Sequence, residues 1–166
     1  MNLFFQQFFG EGWKVQISDV TKNSFDLLSL YVLDRKKYPF FLESSARGNK
    51  NNRYSMIFYK PEVILEKKSN KVEFLKEFDV LWRENQIQQK NLKVEGKNIP
   101  FCGGWFIYLG YEIAQEIEST LSIPLSPFDL PTAFAARVKL AIIFDHIDNK
   151  IILASENYKN SDCAMD

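Results

Sequence analysis

The chain has 166 residues, and 46% hydrophobic with 15% aromatic content favours one domain with a packed core. Lysine plus arginine and aspartate plus glutamate both number 21, so the formal charge is zero, which argues against a general nucleic-acid binder. Cys102 and Cys163 have neither metal-ligand spacing nor a disulfide framework, as in reduced cytoplasmic proteins. No apolar run reaches the length of a membrane span, and the N-terminus lacks the basic region of a signal peptide.

The first third of the chain predicts short strands around one helix. Residues 1–12 are aromatic with interspersed glutamines and end at two glycines, and Trp13–Ile17 alternates as a half-buried strand does. Ser24 is expected to cap a helix that runs to about Lys36. Pro39 then ends the helical conformation, and Phe40–Leu42 is predicted to form a short buried strand.

The middle of the chain alternates between loops and regular elements. In order we expect a loop at Arg47–Asn52, strands at Arg53–Tyr59 and Glu62–Lys67, a turn at Ser69–Asn70, an amphipathic helix at Phe74–Gln88 and a polar linker at Asn91–Asn98.

The segment Pro100–Glu112, PFCGGWFIYLGYE, is the most unusual stretch of the chain. Gly103 and Gly104 predict a turn, Trp105–Leu109 is apolar enough to predict a buried strand, and Gly110 ends that strand. A short helix is expected from Tyr111 through Ile117 to Leu121.

The last part of the chain predicts a loop followed by a hairpin. The elements are a proline-rich loop at Pro124–Pro131, a strand-like segment at Thr132–Asp145, a turn at Asp148-Asn149 and a returning strand at Lys150–Ser155. Because the strands and helices do not alternate regularly, we predict an α+β fold with a largely antiparallel sheet and two or three helices.

Few residues suggest catalysis. Nucleophile motifs, Walker A loops and metal clusters are absent from the sequence, so no catalytic and no metal-binding residue is assigned. His146, the single histidine, is expected at the surface beside a hairpin turn. Glu112, Glu116 and Glu118 are interpreted as a solvated helix face.

Glu43, Ser44 and Ser45 follow an apolar strand beside aromatic residues. A carboxylate there can bind an ammonium group, hydroxyls can orient polar groups and aromatic rings can cover a flat ligand, which would make an amino-acid pocket. The simpler interpretation is that Glu43 pairs with Arg47 or Arg53 and the serines close a turn. A third interpretation is a basic and aromatic surface for single-stranded nucleic acid; its members would be Arg47, Lys50, Arg53, Tyr54 and Tyr59.

Three segments, in this order, resemble the N-terminal region of the chorismate-using large components of anthranilate synthase and aminodeoxychorismate synthase. They read YPFFLESSARGNKNNRYSMIFYKP, IPFCGGWFIYLGYE and LPTAFAARVKLAIIFDH, and they span Tyr38–His146. Trp105-Phe106 after the paired glycines, Glu112 after Tyr111 and the run from Leu130 to Arg137 favour the aminodeoxychorismate subgroup.

This resemblance implies that residues 1–166 are an N-terminal domain of the layered chorismate-utilising fold, without the C-terminal catalytic region. The full enzyme would use Mg²⁺, ammonia from a glutaminase partner, and chorismate. The chain alone is then expected to be inactive, cytoplasmic and free of nucleic-acid or membrane partners. A non-catalytic module that binds an aromatic amino acid is the alternative from another class.

The resemblance also implies one half of a tryptophan-binding site and a structural motif. The tryptophan half-site would contain Leu42, Glu43, Ser44, Arg53, Tyr54 and Ser55. The structural motif would contain Pro100, Phe101, Gly103, Gly104, Gly110 and Tyr111.

Overall fold

A computed structural model of the chain describes residues 6–10, 13–20, 26–44, 52–68, 72–85, 93–94, 96–124 and 126–156. Together these residues form an α+β fold that contains more strand than helix, as the sequence predicts. The chain divides into two compact units. The first contains residues 1–61, 91–104 and 138–166, and the second contains residues 62–90 and 105–137.

The strands of the described residues are, in chain order, β1 (Gln6–Gly10), β2 (Trp13–Asp19), β3 (Phe40–Leu42), β4 (Tyr54–Tyr59), β5 (Glu62–Lys67), β6 (Lys93–Val94), β7 (Lys97–Asn98), β8 (Gly104–Leu109), β9 (Ala133–Val138), β10 (Leu140–Asp145) and β11 (Lys150–Glu156). The helices are α1 (Leu27–Leu33), α2 (Phe74–Glu84) and α3 (Ala114–Ile117), the last preceded by a 3₁₀ turn at Tyr111–Ile113.

The first unit is built on a six-stranded antiparallel sheet with the order β1-β2-β11-β10-β4-β3. Its central strands carry apolar residues on both faces, and Ile57 on β4 and Ile143 on β10 are fully buried. The β10–β11 hairpin closes through a turn in which Asn149 takes a positive φ of 51°, so the predicted turn at Asp148-Asn149 is confirmed. The pairing aligns the ends of β3, β4 and β10 at one end of the sheet.

Helix α1 is shorter than the sequence predicts. Its N-cap is Asp26, whose carboxylate accepts a hydrogen bond from the Leu28 N–H at 3.0 Å, and Ser24 lies outside the described residues. The helix ends at Leu33 because the Asp34 carboxylate accepts from the N–H groups of Lys36 and Lys37, which folds the chain into a turn.

The segment around Gly103 packs against the sheet of the first unit. The Phe101 ring lies 5.2 Å from the Phe58 ring, measured between centroids. Gly103 has φ of 114°, and a Cβ there would lie 2.6 Å from the Glu156 Oε2. Cys102 beside it is buried, and that burial raises the pKa of its thiol to about 12. The thiol is therefore neutral at physiological pH.

The second unit pairs helix α2 with a three-stranded sheet of order β5-β9-β8. Its buried core contains Phe74, Ile113, Ala133 and Ala135. Aromatic rings extend this core, because Phe78 stacks 6.0 Å from Phe74 and meets the Trp105 ring edge-on at 5.3 Å. Small alanines on β9 leave the space that these rings fill.

Several predicted elements differ from the structure. The strand in Trp105–Leu109 is not fully buried, since Ile107 is 42% and Leu109 is 50% exposed; strand geometry turns alternate side chains outward. The helix after Tyr111 ends at Ile117, so Leu121 lies outside it. The strand predicted at Thr132–Asp145 is two strands, which break at the exposed Lys139.

The predicted linker at Asn91–Asn98 contains the short antiparallel pair β6–β7. Gly96 makes this pair possible because its φ of 77° suits a tight turn. Helix α2 ends at Glu84 rather than Gln88. The predicted turn at Ser69–Asn70 and most of the predicted loop at Arg47–Asn52 lie outside the described residues. Within the described ranges, every helix is too short or too polar to cross a bilayer.

Candidate ligand site at the end of strands β3, β4 and β10

The six residues assigned to the tryptophan half-site all lie in the first unit. Leu42 ends β3 and is 49% exposed, and Glu43 follows it as an exposed residue. Tyr54 begins β4, directly after Arg53. Because Leu42 pairs with Met56, the chain beyond β3 continues beside Ser55 and Tyr54. The two predicted segments are therefore neighbours in space.

Ser44 and Ser55 are joined directly. The Ser44 N–H donates to the Ser55 Oγ at 3.0 Å. The Ser55 Oγ also lies 2.7 Å from the His146 Nε2, and the imidazole meets the Phe144 ring edge-on at 4.9 Å. Ser55 is 3% exposed, whereas His146 is exposed. The expected surface position of His146 is correct, but the sequence did not indicate its contact with Ser55.

Arg53 is held by two carboxylates at the end of β10. Its Nε and Nη2 donate to Asp145 at 3.0 Å and 2.6 Å, and its Nη2 also donates to Asp148 at 2.8 Å. The hydrogen bond that Arg53 donates to Asp145 raises the pKa of Arg53, against the opposing effect of burial. Of the two expected partners of Glu43, Arg53 forms its ion pairs with Asp145 and Asp148 instead, and Arg47 lies outside the described residues.

The Asp145 carboxylate also organises the backbone of the hairpin turn. Asp145 Oδ1 accepts from the N–H groups of Ile147 and Asp148 at 3.0 Å and 3.2 Å, while the Arg53 carbonyl accepts from the His146 N–H at 2.9 Å. Arg53 also lies over the Tyr54 ring, 5.0 Å from its centroid. Arg53 therefore ties β4 to β10 through both its side chain and its backbone.

This end of the sheet has the groups that an amino-acid ligand requires. Glu43 offers an exposed carboxylate for an ammonium group, and Ser44 offers a half-buried hydroxyl. Asp145 and Asp148 both bind the Arg53 guanidinium, and Glu43 adds a third carboxylate at this end of the sheet. Such a surface favours a ligand with a cationic group. Arg53, whose Nε and Nη2 both bind carboxylates, is a poor phosphate ligand for the nucleic-acid interpretation.

The residues of the predicted structural motif fall in both units. In the first, Pro100 is exposed, and Phe101, Gly103 and Gly104 form the packed segment described above. In the second, the Gly110 N–H donates to the Thr132 carbonyl at 2.7 Å, and a Cβ on Gly110 would lie 2.9 Å from that oxygen. Tyr111 is 82% exposed and begins the 3₁₀ turn.

Glu116 corrects the interpretation of the glutamate series as solvated charge. Its carboxylate lies 2.6 Å from the Lys67 Nζ and accepts from the N–H groups of Phe74 and Leu75, both at 2.9 Å. Burial favours a higher pKa for Glu116, but the hydrogen bonds from Leu75, Lys67 and Phe74 outweigh it and lower the pKa. Glu116 thus binds the free N–H groups at the start of α2.

The described residues contain no group of three or more His, Cys, Asp or Glu side chains that could hold a metal ion. The Arg53 cluster has two carboxylates, but the guanidinium between them occupies the position that a cation would need. The described residues therefore do not fit a Mg²⁺ ion.

Comparison with known proteins identifies two similar sequences. No protein-family model matches the chain. Anthranilate synthase component 1 of Acetivibrio thermocellus is 29% identical over 122 residues, which cover 68% of this chain and 24% of that protein. Anthranilate synthase component 1 of Cereibacter sphaeroides is 22% identical over 173 aligned positions, which cover 92% of this chain and 35% of that protein.

The chain therefore shows weak homology to anthranilate synthase component I, and both relatives support the resemblance to that family. They do not support the aminodeoxychorismate subgroup in particular, since both are anthranilate synthase components. The chain spans between about a quarter and a third of the length of the curated relatives it matches.

Proposed function

We propose that the chain is the N-terminal region of a chorismate-utilising synthase of the aminodeoxychorismate synthase component I type. The complete enzyme would replace the 4-hydroxyl group of chorismate by an amino group, in the synthesis of p-aminobenzoate and folate. Ammonia would come from a glutaminase partner. The region described here would brace the enzyme and contribute half of a tryptophan-binding pocket.

The hydrogen bond from the Ser44 N–H to the Ser55 Oγ is the observation that carries this proposal. It joins the two segments that the family resemblance assigns to one tryptophan half-site, although eleven positions separate them in the sequence. Weak homology to two anthranilate synthase components supports the same family. The aminodeoxychorismate assignment rests on Trp105-Phe106 and Glu112, which depart from the usual anthranilate synthase pattern.

In this proposal the half-site recognises both ends of tryptophan. The exposed Glu43 carboxylate would bind the ammonium group, Ser44 would hydrogen bond to the ligand, and Leu42 with the Tyr54 ring would cover the indole. As the family resemblance implies, the opposite wall, the catalytic groups and the Mg²⁺ ligands would belong to a C-terminal region. Mg²⁺ would supply charge stabilisation for the departing hydroxyl group.

Anthranilate synthase component I is the second candidate, and the names of the two relatives favour it. The chain would then come from an enzyme of tryptophan synthesis, and the same half-site would serve feedback inhibition by tryptophan. The two candidates share the family and the half-site, and differ only in the product.

Product analysis separates the two candidates. The complete protein, encoded by the extended reading frame, is incubated with chorismate, Mg²⁺ and ammonia. We expect 4-amino-4-deoxychorismate, which a lyase converts to p-aminobenzoate. Anthranilate, recognised by its fluorescence, would establish the second candidate, and the absence of both products would refute the proposal.

Calorimetry with tryptophan tests the half-site in the same complete protein. Ser44→Ala is expected to weaken binding on the order of tenfold, the value of one hydrogen bond. Ser119→Ala removes a hydroxyl from an exposed serine of the second unit and is the matched control, with unchanged affinity expected. Equal affinities for all three proteins would refute the assignment of Ser44.

A further inference from the structure

We infer that His146 is a positioning residue that holds the Ser44 backbone in place through the hydroxyl of Ser55. His146 lies at the tryptophan half-site of the proposed function. Only the expected effect on tryptophan affinity rests on that function; the positioning of Ser44 does not. Its basis is a chain of two hydrogen bonds in which Ser55 Oγ is the middle atom, 3.0 Å from the Ser44 nitrogen and 2.7 Å from the His146 Nε2.

The direction of these hydrogen bonds follows from the chemistry of the hydroxyl group. A serine hydroxyl has one hydrogen to donate and two lone pairs that accept. The Ser44 N–H is a donor, so it uses a lone pair of Ser55 Oγ. Ser55 is 3% exposed, so its hydroxyl hydrogen needs a partner within the protein. Among the described residues, His146 Nε2 lies 2.7 Å away and is the acceptor in the proposed order, which runs from Ser44 N–H to Ser55 O–H to His146 Nε2.

This order places the imidazole hydrogen on Nδ1. If Nε2 carried a hydrogen, it would donate to the second lone pair of Ser55 Oγ, and the buried hydroxyl hydrogen would lose His146 as its acceptor. Because Ser55 Oγ would still accept from the Ser44 N–H, the role of His146 is to fix the orientation of the Ser55 hydroxyl.

Other charged or titratable groups lie at the same end of the sheet as His146. They are Glu43 beyond β3, Arg53 directly before β4, Tyr54 on β4, Asp145 and Asp148 at the end of β10, and Lys150 on β11, which pairs with Asp19 of β2. Arg53 is shared between two aspartates. The test must therefore separate the hydrogen bond to Ser55 from a general effect of these charges.

Nitrogen NMR of the imidazole tests the proposed tautomer. The chain contains one histidine, so its ring signals need no assignment. At about pH 8 we expect an unprotonated Nε2 and a protonated Nδ1, and Ser55→Ala should shift the population toward protonated Nε2. A protonated Nε2 in the unaltered chain at that pH, or a tautomer that is indifferent to Ser55→Ala, would overturn the inference.

Hydrogen exchange at the Ser44 amide tests the positioning role without any ligand. After correction for the intrinsic exchange rate, Ser55→Ala and His146→Ala should lower the protection of this amide on the order of tenfold, as for one lost hydrogen bond. Ser44→Ala keeps the N–H and is the matched control, with protection unchanged. A well-dispersed amide spectrum for each variant separates this local loss from unfolding.

His146→Gln is the decisive variant, because the glutamine amide oxygen also accepts a hydrogen bond. We expect it to restore the protection of the Ser44 amide that His146→Ala loses. Equal protection in the glutamine and alanine variants would overturn the inference.

Tryptophan affinity in the complete protein then shows whether positioning of Ser44 matters for a ligand. His146→Ala should weaken binding and His146→Gln should restore it. If Ser44 protection follows the pattern above but no protein binds tryptophan, the proposed function fails and the positioning role of His146 stands. Tryptophan could instead bind equally well to all variants while the protection of the Ser44 amide changes. His146 would then position a backbone segment that the ligand does not use, and the expected effect on tryptophan affinity would be refuted.

Discussion

Arg53 in the first unit and Lys67 in the second are both held by carboxylates, but in different ways. Arg53 is shared by Asp145 and Asp148, and its side chain keeps 26% of its surface exposed. Lys67 has one carboxylate partner, Glu116, and the two side chains are only 8% and 15% exposed. The first arrangement is partly exposed beside the candidate ligand site, whereas the second is a one-to-one pair that is largely buried.

The difference in partners and exposure indicates the role of each ion pair. Glu116 also accepts the N–H groups of Phe74 and Leu75, so the second arrangement joins α3, β5 and the start of α2. Its purpose is structural. The Arg53 cluster joins β4 to the β10 turn and also sets the charge beside Glu43 and Ser44. Its loss should therefore affect both stability and the proposed site.

The largest expected effect comes from breaking the buried pair. Glu116→Ala leaves Lys67 without its carboxylate and the start of α2 without its acceptor, so we expect a loss of about 3–5 kcal/mol in the free energy of unfolding. Glu118→Ala, at an exposed glutamate whose carboxylate binds Thr120, is the control and should cost far less. Urea unfolding measures both; similar losses would contradict the comparison.

The shared arginine should matter less for stability because solvent reaches it. Arg53→Met removes the hydrogen bonds to Asp145 and Asp148, and we expect a loss of about 2–3 kcal/mol in the free energy of unfolding. Arg35→Met is the matched control, since Arg35 is exposed and lies over the Tyr31 ring, and it should cost less than about 1 kcal/mol. If Arg53→Met lowered the free energy of unfolding more than Glu116→Ala does, the expected order of the two effects would be wrong.

The buried pair should also respond to acid. Because the pKa of Glu116 lies below the ordinary value of 4.5, its carboxylate contributes stability that is fully present above pH 4.5. That contribution disappears as the pH falls through the lower pKa of the folded state. The Glu116→Gln variant lacks this contribution at every pH. The difference in free energy of unfolding between the unaltered protein and the variant should therefore disappear in acid. Urea midpoints over a pH series measure this difference; a difference that stays constant would refute the lowered pKa.

The smallest expected effect is at an exposed pair on α2. Arg83 lies 2.7 Å from Asp79, one helical turn away, and the two side chains are 70% and 50% exposed. Arg83→Met should cost about 0.3–0.5 kcal/mol, and high salt should remove most of that difference. Thermal unfolding at low and high salt gives both values. A loss comparable to that of Arg53→Met would show that exposure does not explain the ranking.

Local patterns were sufficient to predict most of the fold. Alternation at Trp13–Ile17 and the apolar run in Leu140–Phe144 each correspond to a strand, and the hairpin turn at Asp148-Asn149 is where its side-chain chemistry indicates. These features depend on neighbours in the sequence. The cap of α1 was misplaced because Ser24 and Asp26 are both good N-cap residues, and only the structure distinguishes them.

The candidate site was predicted less completely, because its contacts join distant parts of the chain. Ser44 and Ser55 were assigned together through the resemblance, not through their spacing. The contacts of Ser55 with His146 and of Arg53 with Asp145 span 91 and 92 positions, and Glu116 reaches Phe74 across 42. A glutamate on a short helix has the same local pattern whether it is solvated or capping another helix.

Gly103 has a consequence for the variation that this chain can tolerate. The space that a side chain would fill there already contains the Glu156 carboxylate, with its Oε2 at 2.6 Å and its own Cβ at 3.0 Å. A larger residue at position 103 is therefore compatible only with a simultaneous change at position 156. Even that double replacement would keep a backbone φ of 114°, which L-residues other than glycine rarely adopt. Position 103 thus has almost no acceptable alternative to glycine, for reasons both of its own backbone and of a residue far away in the sequence.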